Sequence, residues 1–169
     1  TGSVSGSQYV GGVVGRNTPD STVVNSYNIG TVSGRNQIGG VAGSNDGTVE
    51  SCHNTGIVSG SDSFVGGVVG NNDGGTITGC YNTGSVSGSY YVAGVVGENY
   101  GTVESCYNTG TVSVSRGDYV GGVVGYNHNG TVTSCYNTGS VSGSTFVGGV
   151  VGYNAHGTVT DCDNSGSVT

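Results

Sequence analysis

The sequence has very little positive charge and lacks several residues that are common in globular proteins. Lysine, methionine and tryptophan are absent, proline occurs once, and the basic residues other than histidine are Arg16, Arg35 and Arg116. With 10 acidic residues, the net charge is −7. Nucleic acids and anionic membranes are recognised through basic patches, so the composition argues against both as partners. No apolar run approaches the ~20 residues that a membrane span requires, and we expect no membrane insertion.

Glycine is abundant instead, and it recurs with a period. It supplies 37 of 169 residues, a content that usually indicates a flexible chain. Here a phrase such as Gly67-Val68-Val69-Gly70, leading to Cys80-Tyr81-Asn82-Thr83-Gly84, returns six times. The sequence therefore predicts a single repeat array over 1-169, because such periods are typical of stacked units. The units are 1-28, 29-54, 55-82, 83-108, 109-137 and 138-164, with a partial unit 165-169.

Each unit contains three short Val-rich stretches that are bounded by turn formers. In the fourth unit they are 84-87, 91-96 and 101-106. Their length and β-branched content are typical of strands, and none has helical length with a 3.6-residue period. The pattern predicts an all-β fold, a parallel β-solenoid (β-helix) of either hand, with about one coil of three short strands per 26-29-residue repeat. Successive coils would lie about 4.8 Å apart, so six coils would form a rod of roughly 29 Å.

Alternation along the strands predicts which valines face inward. The first and third stretches place one valine column each in the core, represented by Val86 and Val103. In the middle stretch, alternation places the columns of Val92 and Val96 inward. The valine between them, just before Val96, would then point outward, and there are two explanations for this third column. Either a bulge at the preceding Gly-Gly pair redirects the chain, or the rod has an exposed Gly/Val face. The residues concerned are Val13, Val41, Val68, Val95, Val123 and Val150.

Five cysteines occupy one position of the repeat. They are Cys52, Cys80, Cys106, Cys135 and Cys162. Stacked in register, their Cβ atoms would be separated by about 4.8 Å, which exceeds the ~3.8 Å of a disulfide. We therefore expect a buried ladder of free thiols that pack as small apolar residues. A metal-thiolate array lacks the ligand geometry that zinc needs.

Two further ladders follow the cysteines. The next position carries Tyr27, Tyr81, Tyr107 and Tyr136, and tolerance of Asp163 there predicts a solvent-facing row of stacked rings, which could also contact sugars. The position after it carries asparagine, with Asn54, Asn82, Asn108 and Asn137 among its members. We expect an amide ladder at a corner, with hydrogen bonds from coil to coil.

The sequence shows no catalytic constellation. The three histidines fall in different contexts, and neither a His-Glu-x-x-His motif nor a Gly-x-Ser-x-Gly elbow occurs. We expect no enzyme activity, no cofactor and no metal site.

The repeat resembles the GLUG motif, which occurs in tandem in bacterial cell-surface and secreted proteins. The resemblance rests on the Gly-Val-Val-Gly core, the asparagine two positions later (Asn17, Asn45, Asn99, Asn127 and Asn154), the following Gly-Thr-Val, and Cys-Tyr-Asn-Thr-Gly. It covers essentially the whole chain. It implies an extracellular or cell-surface bacterial location and a β-helical stalk, often in an adhesin.

Two functions remain open from the sequence. One is a structural or adhesive repeat segment that acts as a rigid stalk or self-assembling filament unit, with a surface protein or a glycan as ligand. The alternative is an ice-binding solenoid that uses Thr-x-Thr strands such as Thr131-Val132-Thr133, although Glu50 and Glu104 interrupt that grid. Both ends of the sequence fall within the repeat, so we expect flanking repeats or head-to-tail self-association of copies.

Overall fold

A computed structural model of the chain describes residues 2–115 and 117–169. These residues form an all-β structure in which parallel strands stack as a solenoid of about six turns, each of about 27 residues. The predicted β-solenoid is therefore confirmed. Each of the six units forms one coil, and equivalent residues of successive coils form a column along the rod.

The first three coils contain the following strands. Coil 1 has β1 (Ser3–Ser5), β2 (Gln8–Gly11), β3 (Val14–Asn17), β4 (Thr22–Val24) and β5 (Tyr27–Asn28). Coil 2 has β6 (Thr31–Gly34), β7 (Asn36–Gly39), β8 (Ala42–Asn45), β9 (Thr48–Glu50) and β10 (His53–Asn54). Coil 3 has β11 (Val58–Gly60), β12 (Ser63–Gly66), β13 (Val69–Asn72), β14 (Thr76–Thr78) and β15 (Tyr81–Asn82).

The last three coils repeat this order. Coil 4 has β16 (Val86–Ser87), β17 (Tyr90–Ala93), β18 (Val96–Asn99), β19 (Thr102–Glu104) and β20 (Tyr107–Asn108). Coil 5 has β21 (Val112–Ser113), β22 (Asp118–Gly121), β23 (Val124–His128), β24 (Thr131–Thr133) and β25 (Tyr136–Asn137). Coil 6 has β26 (Val141–Ser142), β27 (Thr145–Gly148), β28 (Val151–Ala155), β29 (Thr158–Thr160) and β30 (Asp163–Asn164).

Each coil thus has five strands, two more than the three predicted stretches. Strands pair in parallel with their equivalents above and below, which gives five sheets of six strands. The middle stretch of the repeat is divided between the second and third sheets, and the Tyr-Asn pair adds a fifth strand of only two residues. Two residues are too few to show alternation, so the sequence could not reveal that strand.

The middle stretch divides because the chain turns a corner at the valine after the Gly-Gly or Ala-Gly pair. The carbonyl oxygen of Val123 accepts hydrogen bonds from two successive backbone groups of the previous coil, Val95 N at 3.1 Å and Val96 N at 2.8 Å. Alternation is interrupted there, so Val95 and Val96 both point inward and both are fully buried. In coils 2 to 5 the alternative of an exposed Gly/Val face is therefore wrong, since Val41, Val68 and Val123 are fully buried as well. In the two end coils Val13 is exposed and Val150 is partly buried.

The interior contains two separate apolar cores. The large core contains the columns of Val95, Val96, Val103 and the cysteines. The small core lies between the first and second sheets and contains the columns of Val86 and Val92. Two cores therefore replace the single core of a simple coil, and the chain between them must approach itself closely.

Glycine makes this close approach feasible. A Cβ atom at Gly94 would overlap the side-chain amide of Asn108, and one at Gly97 would lie 2.7 Å from the carbonyl oxygen of Tyr91. Contacts of this length do not occur for real side chains, so the third sheet can pack on the second only where the side chain is absent.

Candidate functional site

The asparagines that follow the aromatic position form a continuous amide ladder inside the rod. The Nδ2 group of Asn82 donates to Asn108 Oδ1 of the next coil at 2.8 Å and to the carbonyl oxygen of Gly84 at 2.9 Å. Its Oδ1 atom accepts from Asn54 Nδ2 at 2.8 Å and from Gly84 N at 3.3 Å. All four hydrogen-bonding positions of the amide are used, which removes the cost of burying it.

A second amide ladder runs parallel to the first, at the asparagine after the Gly-Val-Val-Gly core. Asn72 Nδ2 donates to Asn99 Oδ1, and Asn99 Nδ2 donates to Asn127 Oδ1, both at 2.8 Å. Sequence reasoning identified this asparagine as part of the repeat but missed the ladder. Its recurrence before a Gly-Thr-Val turn was the available signal, because asparagine side chains commonly bond the backbone two residues later.

The cysteines form a third ladder, and their side chains complete a turn. All five are free thiols, buried except for Cys162, which is partly exposed. The sulfur of Cys106 donates to the carbonyl oxygen of Glu104 at 3.2 Å and accepts from the backbone N of Cys80 at 3.4 Å. The intervening Ser105 has a left-handed φ of 53°. Hydrogen bonding to Cys135 and Cys80, together with burial, raises the pKa of the Cys106 thiol.

The first coil shows that the bond from the side chain to the carbonyl oxygen two residues earlier does not require a thiol. Ser26 stands in place of a cysteine, and its hydroxyl donates to the carbonyl oxygen of Val24 at 2.9 Å. Asn25 between them has the same left-handed backbone, with a φ of 50°. A serine hydroxyl and a cysteine thiol therefore serve the same turn, and the thiol adds apolar contact with the large core.

We expect the native thiols to resist alkylation according to their depth. Cys52, Cys80, Cys106 and Cys135 should remain unmodified by iodoacetamide until the rod unfolds, whereas Cys162 should react first because its coil has no complete neighbour above it. Mass spectrometry of chymotryptic peptides, with and without denaturant, measures this order. Rapid native labelling of Cys80 or Cys106 would contradict the burial of the ladder.

The predicted tyrosine column forms a row of stacked rings on the surface. Ring centroids are 5.1 Å apart for Tyr27 and His53, 4.7 Å for His53 and Tyr81, and 4.8 Å for Tyr81 and Tyr107. Tyr107 and Tyr136 continue the row at 4.8 Å, and Tyr136 is exposed. Because neighbouring rings lie face to face, the row presents mainly ring edges and hydroxyl groups to solvent. Stacking on a sugar ring requires a free aromatic face, which such a row offers poorly.

A second aromatic row lies on another part of the surface, and sequence reasoning missed it. Its rings stack from Phe64 to Tyr91 at 5.0 Å, Tyr91 to Tyr119 at 4.9 Å, and Tyr119 to Phe146 at 5.1 Å. Each of these residues has a left-handed φ between 50° and 65°. The available signal was an aromatic residue directly before the buried valine in five of the six units.

Glu98 lies beside this second row. Among residues 2–115 and 117–169 it is the most buried acidic residue. Its side chain is 8% exposed, and its Oε1 atom accepts from the hydroxyl of Tyr100 at 3.2 Å. Burial raises the pKa of Glu98 to about 7; the Tyr100 hydrogen bond opposes this shift, and the charge of Asp73 adds to it. The carboxyl group is therefore about half ionised at neutral pH.

Glu98 should make the stability of the rod depend on pH. Its pKa in the folded state lies above the unfolded value, so folding favours the protonated form. The contribution is fully present below about pH 4.5 and is lost as the pH rises through about 7, a difference of about 3 kcal/mol. Denaturant titrations at several pH values should show this decline in the native protein. A Glu98→Gln variant with the same decline would show that another group is responsible.

Within residues 2–115 and 117–169, no group of three or more His, Cys, Asp or Glu side chains is placed to hold a metal ion. This part of the chain likewise contains no helix with the length and apolar character needed to cross a membrane.

Comparison with known proteins identifies the repeat. The family model described as the GLUG motif matches residues 6–33, 65–87, 88–113, 117–142 and 143–169. No curated protein and no solved structure matches the chain. Residues 34–64 lie outside the matched segments, yet they continue the same ladders, for example with Ile38 paired to Val65 and Asn45 to Asn72. Since the matches cover most of the sequence, the chain belongs to the GLUG motif family.

Proposed function

We propose that this chain is a rigid, non-enzymatic spacer in an extracellular or cell-surface bacterial protein. The observation that carries the proposal is the continuity of the ladders: in each of the five sheets, every strand pairs with its equivalents through all six coils. Residue contacts therefore run along the rod without a hinge between described coils. The length of such a rod increases with each added coil, and a stalk requires a stiff structure of defined length.

Duplication and deletion of whole units test the spacer. A chain in which 55-137 is duplicated gains three coils, so it should remain folded and become longer by about 14 Å. Small-angle X-ray scattering measures the increase. The matched control duplicates only 55-69, which breaks the register of every column and should unfold part of the rod. If the whole-unit duplication also lost its structure, or gained no length, the spacer proposal would be wrong.

The proposed location has a separate test. Fractionation of the source bacterium, followed by protease treatment of intact cells, should find the repeats accessible at the surface or in the medium. Detection only inside intact cells would contradict the location and leave the rod geometry unaffected.

Self-association of rods is supported by the polarity of the amide ladder that runs from Asn28 to Asn164. In the first coil, the Oδ1 atom of Asn28 accepts from Gly30 N and has an acceptor position directed away from coil 2. In the last coil, Asn164 Nδ2 donates to Gly166 O and has a donor position free for a further coil. Another coil, whether from continued repeats or from a second copy, would extend this ladder. Sedimentation velocity over a range of concentrations tests the second case, since a constant sedimentation coefficient would exclude it.

The threonine column of the fourth sheet supports ice binding as a second candidate function. Thr22, Thr48, Thr76, Thr102, Thr131 and Thr158 form an unbroken row, each in register with the next. The neighbouring column is less regular, because it contains Val24, Glu50 and Glu104 as well as threonines. Thermal hysteresis of the purified chain decides this alternative: its absence would rule out ice binding without affecting the spacer.

A further inference from the structure

Two side-chain oxygen atoms in coils 2 and 3 are buried without a hydrogen-bond donor. They are Gln37 Oε1 and Asn71 Oδ1, and the described residues 2–115 and 117–169 contain no other fully buried side-chain nitrogen or oxygen without a partner. Burying a carbonyl oxygen in this way costs free energy. Such atoms are rare in native proteins, and an ordered water or an ion is a common explanation. The spacer role gives no reason for them, because the rod is held by its in-register strands.

Asn71 lies in a column of polar side chains that is largely closed to solvent. It pairs in register with Ser44 of coil 2 and Glu98 of coil 4. Since Asn72 points into the amide ladder, Asn71 faces the opposite side of the strand, and its two neighbours face the same way. The exposed fractions are nevertheless only 3% for Ser44 and 8% for Asn71 and Glu98. Neighbouring Cα atoms in the column are about 4.8 Å apart, so one ion can contact the side chains of Asn71 and Glu98.

Gln37 belongs to the second sheet and packs against this column. Through the register of the second and third sheets, Gln37 stands to Asn71 as Tyr91 stands to Tyr126 two coils later. The rings of Tyr91 and Tyr126 are in contact, with centroids 5.5 Å apart. A Cβ atom at Gly70, directly before Asn71, would lie 2.7 Å from the carbonyl carbon of Gln37. The two unpaired amide oxygens therefore belong to neighbouring side chains.

Glu98 adds negative charge to these two amides. Its Oε1 atom accepts from the hydroxyl of Tyr100 at 3.2 Å. Asp73 is exposed, and it lies close enough for its charge to act on Glu98. The described arginines, in coils 1 and 2, form ion pairs with other acids. Around Asn71 the structure thus gathers two unpaired carbonyl oxygens and a buried carboxyl group, and oxygen atoms of these types are the usual ligands of hard cations.

We propose that Gln37, Asn71 and Glu98 bind a calcium ion through the two amide oxygens and the carboxylate. Calcium accepts amide carbonyls, carboxylates and water in flexible arrangements, whereas magnesium demands near-octahedral geometry and keeps most of its own water. Water molecules on the side of Asp73 complete the coordination. A single ordered water has only two hydrogens for these three acceptor groups, and it leaves the carboxylate charge uncompensated. The sequence gave no sign of the site, because two of its three ligands are amides and they form no motif.

The ion connects three successive coils, because Gln37 lies in coil 2, Asn71 in coil 3 and Glu98 in coil 4. It also joins the second sheet to the third at this point of the rod. The site goes beyond the spacer function and does not decide it, since the strands of all five sheets pair through six coils without an ion. A chain that failed to bind calcium would leave the spacer proposal intact.

Isothermal titration of the chelator-treated whole chain with calcium chloride tests the proposal. We expect one ion per chain, with a Kd on the order of 10⁻⁴ to 10⁻³ M, and several-fold weaker binding of magnesium. Asn71→Leu, Gln37→Leu and Glu98→Gln should each weaken calcium binding about tenfold or more, because each removes a ligand. The matched controls are Gln8→Leu, at an exposed glutamine, and Glu104→Gln, at an exposed carboxylate of the same coil as Glu98. Both controls should bind within about twofold of the native chain.

Urea unfolding with calcium and with chelator gives a second readout. Calcium should raise the unfolding midpoint of the native chain and leave that of Asn71→Leu unchanged. Without calcium, Asn71→Leu and Gln37→Leu should be at least as stable as the native chain, because each removes an unpaired buried oxygen. If one of them fails to fold, the other and Glu98→Gln carry the test. No calcium binding, equal affinity for magnesium, equal loss in test and control variants, or a loss of calcium-free stability in both leucine variants would overturn the proposal.

Discussion

Replacing Asn108 with aspartate should lower the free energy of unfolding by about 4 kcal/mol at neutral pH. The Nδ2 group of Asn108 donates to Asn137 Oδ1 and to Gly110 O, both at 2.9 Å. An aspartate oxygen in its place would face two acceptor oxygens, and a charge would be buried where the native side chain is fully buried. The substitution keeps the size of the side chain, so the loss measures the ladder hydrogen bonds together with the cost of the buried charge.

The pH dependence of this variant provides a second readout. Protonation would restore a donor, so the variant should recover stability in acid. Its carboxyl pKa in the folded state is expected to lie above the unfolded value. The deficit is then smallest below the unfolded pKa and grows as the pH rises through the folded pKa. The matched control is Asn129→Asp, at an exposed turn position with a φ of 56° that aspartate accepts.

Hydrogen exchange gives the measurement at the level of coils. An array can unfold in segments, so a single midpoint does not describe it fully. Asn108→Asp should increase exchange chiefly in coils 3 to 5, while Asn129→Asp leaves it unchanged. An Asn108→Asp rod as protected as the native protein would mean that the amide ladder contributes little to stability.

Replacing Val132 with aspartate should cost about 5 kcal/mol or more, because it places a carboxyl group in the large core with no polar partner and removes apolar contact. Val132 is fully buried, between Val103 and Val159 of the neighbouring coils. The adjacent Thr131 faces outward in the same strand and is only partly buried. Thr131→Asp is therefore the matched control, and its cost should stay below about 1 kcal/mol.

Equilibrium unfolding in urea, followed by circular dichroism, compares the two variants under the same conditions. We expect Val132→Asp to lose the cooperative transition or to shift it strongly toward lower urea, and Thr131→Asp to keep it. Equal stability of the two variants would show that the inward direction of Val132 is wrong.

Much of the fold was predictable because equivalent residues recur along the sequence at a nearly constant spacing. Six units with equivalent residues can stack only in register, so the period implied one coil per unit, and the valines at Val86 and Val103 implied inward columns. The GLUG resemblance, which rested on the same recurring residues, is confirmed by the family match. Ladders of cysteine, tyrosine and asparagine follow from the same reasoning, since a column repeats whatever residue its position carries.

Other features depend on contacts between coils, which alternation along one strand does not describe. Val95 turns inward because its N–H and that of Val96 share one carbonyl of the next coil, and this bond exists only after stacking. The left-handed backbone at Tyr91 and the close approach of Gly97 bring Tyr126 and Glu98 beside the second aromatic row. Local sequence therefore determined the period and the columns. The packing of the third sheet on the second decided the number of strands, the two cores and the surroundings of Glu98, because these arise from backbone approaches between residues far apart in the chain.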